Sequence, residues 1–164
     1  MVIHKKLLSA VDEAMLLSYF KAFCDGNTDD VAKQRLRNIL ARATNKENAI
    51  RALFFNMMQI ELSEEQSQRM VELVCANLRK SNYRKNIPEE KKRQLLMKQS
   101  NRCNFCGCEI GLCAHSDHII PFKYVGDELQ DNLQMLCSRC NLSKGSSIDY
   151  QIKVLLNLTK EGLK

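Results

Sequence analysis

Proline and glycine are scarce in this chain, two and six residues among 164. Their shortage goes with a globular composition, and no internal repeat or low-complexity segment is visible. Long apolar runs are missing too. None approaches the roughly 20 residues that a membrane-spanning helix needs. The opening MVIHKKLLSAVDEAMLLSYF carries charges too early and too often for a secretory signal. These absences predict a soluble, cytoplasmic protein with no membrane partner. The length allows one ordinary domain or two small ones.

Charge is present but unevenly spread. The net charge is +2 over residues 1–81, +5 over 82–102 and −1 over 103–164. The excess therefore sits in one short segment, which includes Arg84, Lys85, Lys91, Lys92 and Arg93. A local basic stretch suits phosphate contact, although an isolated charge run is more often a solvated helix face.

The first half reads as helices. Leu7, Leu8, Val11, Met15 and Ser18–Tyr19 step along one face at three- and four-residue intervals. A turn at Cys24–Asn27 stops that helix, and Thr28 or Asp29 can cap a second with Val31, Leu36, Ile39 and Leu40 inward. A third begins at Thr44 or Asn45 and turns Ile50, Leu53, Phe54, Met57 and Met58 inward. Ser63-Glu64-Glu65-Gln66 spells a capping box. The helix it opens carries Gln66, Met70, Leu73, Val74 and Leu78. Residues 1–81 are thus expected to form a helical bundle, a possible interaction domain. Residues 82–88 read as a linker, and Pro88-Glu89-Glu90 as the start of a basic helix anchored by Leu95 and Leu96. Beyond Asn101 the helical period gives way to cysteines, turn residues and two short strand-like runs, Ser116–Pro121 and Asn132–Leu136. Ile148, Ile152, Leu155 and Leu156 then mark a last amphipathic helix.

Eight cysteines in a chain without a signal peptide point away from extracellular disulfides. Cys103-Asn104-Phe105-Cys106 and Cys137-Ser138-Arg139-Cys140 are two C-x-x-C pairs, thirty residues apart. Four thiolates in that pattern can close a tetrahedral shell around Zn²⁺, and the two-residue gap lets a tight turn aim both sulfurs at one ion. Cys24 and Cys75 read as small core residues. Cys108 and Cys113 lack pair spacing and are expected to be free thiols. Between the pairs, Asp117 beside His118 offers a hard metal ligand and a general base. His115 reads as a strand-surface residue and His4 as exposed.

Taken with Asn132-Leu133-Gln134 and Cys140-Asn141-Leu142-Ser143-Lys144-Gly145, the stretch from Arg102 to Gly145 resembles the HNH endonucleases, in the subgroup whose ββα-metal core is braced by a Cys₄ zinc. The resemblance implies an α+β fold: an all-α bundle, then a small zinc-stabilised HNH module with a basic lead-in helix over residues 82–164. It implies a metal-dependent hydrolase of DNA phosphodiesters, leaving 5′-phosphate and 3′-hydroxyl ends. His118 would be the general base. Asp117 and Asn141 would hold a catalytic Mg²⁺ or Mn²⁺, and Asn132 would pin the loop that aims the histidine. Asn141 stands where the family often has histidine, and the family's paired glycines are reduced to Val125-Gly126, which implies a loop of another shape. Double-stranded DNA is the expected partner, with Arg84, Lys85, Lys91, Lys92, Arg93, Lys123, Arg139 and Lys144 as candidate phosphate contacts. Two alternatives are a zinc-dependent nucleic-acid-binding or adaptor module, and a nuclease subunit delivered to a larger complex by its helical half.

Overall fold

The computed structural model describes residues 8–27 and 29–161, with side chains to 157. His4, Leu7 and Thr28 lie outside them. The chain is helix-rich with one small antiparallel sheet. The order is α1 (Ala10–Gly26), α2 (Asp30–Arg42), α3 (Lys46–Met58), α4 (Glu64–Arg79), α5 (Glu89–Lys98), β1 (His115–His118), α6 (Phe122–Val125), β2 (Leu133–Leu136), α7 (Ser138–Lys144) and α8 (Ile148–Glu161). No described helix is long and apolar enough to cross a membrane.

Side-chain oxygens start the bundle helices, because the first backbone N–H groups of a helix have no partner inside it. Ser9, Asp29 and Asn45 cap α1, α2 and α3. Ser63 and Gln66 form the reciprocal capping box of α4. The inward face of α1 differs from the expected one. Val11 and Met15 are exposed, while Ala14, Leu16, Leu17, Phe20 and Phe23 are buried. This helix is apolar around most of its girth, so its partners choose the face. Val31, Ile39 and Met57, also expected inward, are exposed as well. On α4 the expected Met70, Leu73, Val74 and Leu78 are buried.

One apolar core crosses the change from helices to the cysteine-rich segment. It joins Leu16, Phe20, Phe23, Phe54, Met70 and Leu73 of the bundle to Ile120, Tyr124, Val125 and Ile148. Helix α8 lies along α1, and α6 against α4. Asn77 of α4 donates to the Tyr124 carbonyl at 2.6 Å, and Lys21 of α1 pairs with Asp149 of α8 at 2.9 Å. The bundle therefore forms the wall behind the β1–β2 connection.

The sheet pairs His115 with Leu136, Ser116 with Met135, Asp117 with Gln134 and His118 with Leu133. β1 ends at His118, short of the expected run through Ile119-Ile120, because the chain turns there toward Pro121. α5 covers β2 through Leu95 and Leu96 packed on Met135. The Gln99 side chain binds the Met135 backbone twice, accepting from its N–H at 2.8 Å and donating to its carbonyl at 2.9 Å. It thus stands in for a neighbouring strand's peptide on one edge of a two-stranded sheet, with the Asn104 N–H as a second donor to the same carbonyl.

Candidate active site and metal centre

The first knuckle is a tight turn closed by Gly107 N–H to the Cys103 carbonyl at 2.9 Å and Cys103 N–H to the Cys108 carbonyl at 2.8 Å. Gly107 sits at φ +68°, where a side chain would be strained. The second knuckle is the start of α7, with Cys137 as its cap. Cys140 N–H points to the Cys137 sulfur at 3.5 Å, and Cys137 N–H to the Cys103 sulfur at 3.4 Å. No disulfide joins the turns, since all eight cysteines are free.

The sulfurs of Cys103, Cys106, Cys108 and Cys137 all lie within 4.8 Å of one another. Cys106 and Cys137 are 3.8 Å apart, about the edge of a tetrahedron of sulfurs 2.3 Å from Zn²⁺. The donor set therefore fits zinc. Cys108, expected to be a free thiol, stands inside the cluster. Cys140 stands outside that group of four, beside it through its N–H on the Cys137 sulfur. The four sulfurs that gather are thus not the expected four: Cys108 is among them and Cys140 is beside them.

Their protonation tendencies differ. The Cys108 backbone N–H, then its thiol, pulls the Cys106 thiol down to about 6. The Cys140 N–H lowers Cys137. Cys108 is pushed up to about 12, first by its hydrogen bond to Cys106 and then by burial. Burial raises Cys140. Backbone donors aimed at sulfur favour the thiolate that a metal requires. Arg139 is exposed, and its guanidinium hydrogen-bonds the Cys106 sulfur, which raises its own pKa.

The second constellation lies at the end of β1. His118 is buried, 3% exposed. Its Nε2 meets Asp127 Oδ1 at 2.9 Å, and its ring stands edge-on to Phe122 with centroids 5.5 Å apart. Its Nδ1 is buried with no hydrogen-bond partner among the described residues. Asn132, also buried, grips both faces of one residue. It accepts from Ile120 N–H at 2.8 Å and donates to the Ile120 carbonyl at 2.9 Å. That clamp closes the ends of the loop between the strands just beyond His118.

Asp117 Oδ2 accepts from Gln134 at 3.1 Å and pairs with Lys144 Nζ at 2.9 Å. Lys144 needs correcting as a phosphate contact. It is 2% exposed, and its ammonium also donates to the His118 carbonyl at 2.7 Å. Burying a lysine requires such partners, so its charge is spent inside the site. Asn141 lies on α7, partly buried, three residues before Lys144. A carboxylate and an amide oxygen make a sparse, hard donor set. Such a set suits Mg²⁺, which keeps several waters and takes the rest of its shell from substrate.

The other expected phosphate contacts divide by place. Lys85 and Lys91 line a cleft of about 190 Å³ together with His118, Asp127 and Asn132. Arg84, Lys85 and Lys92 line a neighbouring one of about 300 Å³. Arg84 donates to the Ser116 carbonyl at 3.3 Å. Arg93 is paired with Glu89 on α5, and Lys123 lies exposed over the Tyr124 ring. His115 is exposed on the outer end of β1.

Sequence reasoning missed Asp127 and Cys108. Neither carries a motif: Asp127 reaches His118 only because α6 folds the chain back, and Cys108 joins the cluster only through the knuckle turn.

A β-strand ending in Asp-His, an asparagine clamp and a helix that begins inside a cysteine cluster occupy one continuous stretch. Residues 103–147 match the family model of the HNH endonucleases. The match takes in both knuckles, the HNH sheet and α7, and leaves α1 to α5 and α8 outside. Neither the curated proteins nor the solved structures yield a match to the chain.

Proposed function

We propose that this protein hydrolyses DNA phosphodiester bonds with its HNH module, His118 acting as general base. The observation that carries the reading is the His118 ring: buried and held by Asp127 and Phe122, with Nδ1 unpartnered among the described residues. A buried polar nitrogen without a partner is costly, and one beside a carboxylate in an HNH module is suited to accept a proton. In the reaction, water gives its proton to His118, its oxygen forms the bond to phosphorus, and the 3′-oxygen leaves. Asp117 and Asn141 would hold Mg²⁺ or Mn²⁺, which when bound neutralises the scissile phosphate and stabilises the leaving oxygen. Asn132 holds the loop in register. Lys144 offsets the Asp117 charge from the protein side and does so through Oδ2, the oxygen that Gln134 also meets.

Zn²⁺ on the cysteine cluster would brace the knuckles in place of the core that so small a module lacks. Cys103, Cys106 and Cys137 supply three seats, and we assign the fourth to Cys140. Lys85, Lys91, Lys92 and Arg84, gathered at the mouth of the cleft, would meet duplex phosphates.

The test is a nicking assay on supercoiled plasmid with saturating Mg²⁺ or Mn²⁺. His118→Ala removes no zinc ligand, so it should keep its fold and zinc while losing about 10²-fold or more in rate, the scale of a lost general base. A variant that cuts as fast as wild type would remove the mechanism. A wild-type protein that binds plasmid without cutting it would favour the binding-module reading.

A further inference from the structure

We propose that Asp127 is the positioning residue that fixes the tautomer and aim of His118, leaving Nδ1 as the proton-accepting atom; the claim rests on the nuclease reading above. A neutral imidazole has one N–H and one lone pair, and the partner of one nitrogen decides where they sit. Asp127 Oδ1 lies 2.9 Å from Nε2. An ionised carboxylate can only accept, so Nε2 must carry the hydrogen and Nδ1 the lone pair. The opposite tautomer would set two acceptors against each other at that distance.

Asp127 is itself held in place. Its Oδ2 accepts from the Lys85 backbone N–H at 2.8 Å, so the linker over residues 82–88 supplies a fixed donor. Gly126, immediately before it, adopts φ +59°, and a Cβ there would lie 2.8 Å from the Lys80 Cβ at the end of α4. Only glycine lets the loop approach the bundle that closely. The linker thus holds the carboxylate, the end of α4 holds the backbone just before it, and Phe122 limits rotation of the ring it orients. Burial works against an ionised Asp127, but the Lys85 N–H and His118 together outweigh it and hold its carboxyl below the usual value.

During proton abstraction the proton from water goes to Nδ1. The Nε2 hydrogen stays between ring and carboxylate, and Asp127 stabilises the imidazolium without taking a proton. In hydrolases that use a histidine oriented by an aspartate, losing the correct tautomer costs up to about 10⁴-fold.

The experiment uses the full, zinc-loaded chain, ¹⁵N-labelled, without DNA. Two-bond ¹H–¹⁵N correlation spectra are recorded at a pH where the imidazoles are neutral. The chain has three histidines, and His118→Ala assigns the signals of the third. Wild type should show His118 almost wholly as the Nε2–H tautomer. Asp127→Ala should show a mixture. Asp127→Asn has the same shape, guards against a folding defect, and should loosen the preference while keeping the ring in place. In the nicking assay both variants should lower kcat by at least 10-fold with the KM for DNA unchanged. A wild-type His118 in the Nδ1–H form, or an Asp127→Ala spectrum identical to wild type, overturns the proposal. If the tautomer shifts as stated but wild type never cuts DNA, the orienting role stands and the nuclease reading falls.

Discussion

Asn132→Ala removes one side chain and leaves two buried backbone groups without partners. Asn132 is 4% exposed, and its amide serves the Ile120 N–H at 2.8 Å and the Ile120 carbonyl at 2.9 Å. Water cannot easily replace it, because Ile120 is part of the shared core. Each orphaned group costs about 1–3 kcal/mol, so the expected loss is about 2–6 kcal/mol. That is a large share of the roughly 5–15 kcal/mol by which domains are held together. The chain has no tryptophan, so far-UV circular dichroism during urea unfolding is the suitable readout. With a urea slope of about 2 kcal/mol per molar, the midpoint should fall by about 1–3 M. Asn132→Asp keeps the acceptor for the Ile120 N–H but loses the donor to its carbonyl, and should be at least as damaging. A midpoint for Asn132→Ala within about 0.25 M of wild type, at unchanged slope, would refute the view that this clamp holds the loop.

Two further outcomes test other parts of the molecule. Cys137→Ser should lose zinc and the fold around the knuckles, whereas Cys108→Ser should keep one zinc per chain and Cys140→Ser should bind it more weakly; elemental analysis with chelator competition decides, and the reverse order would give the fourth seat to Cys108. The folded Asp127 carboxyl lies below its ordinary value, so its stabilising contribution is fully present above an unfolded carboxylate's pKa of about 3.9 and is lost as pH falls through the folded value. Asp127→Asn should therefore flatten the acid limb of stability below about pH 4 in urea titrations, and an unchanged acid limb would contradict the shift.

Much of the site was legible from spacing. Two C-x-x-C pairs predict converging sulfurs because the geometry of a metal shell is local and stereotyped, and Cys103, Cys106 and Cys137 do converge, with Cys108 rather than Cys140 as the fourth of the group. Helix existence was equally legible, since caps such as Ser63 with Gln66 act over three residues. The buried face of α1 was not. Apolar residues ring that helix, and α4 and α8, distant in sequence, decide that Phe20 goes in and Met15 stays out. Lys144 misled for a related reason. A lysine near a site reads as a surface cation, and only the fold reveals the carboxylate and carbonyl that bury it. Asp127 was silent because no sequence rule links a histidine to an acid nine residues away across a turn.

The core shared by α1 and α8 has a consequence for synthesis on the ribosome. Chains emerge from the N-terminal end, and early segments collapse with whatever is available. Helices α1 to α4 emerge first, with the α1 face around Phe20 lacking its cover from Tyr124, Val125 and Ile148. That face stays wet until more than a hundred further residues have been added. A nascent chain halted before Ile148 would bear the knuckles, the strands and His118 yet expose sticky apolar surface, a natural target for chaperones and proteases. Formation of α8 is thus the event that seals this face, which makes burial of the bundle's core wait on the segment that follows the HNH match.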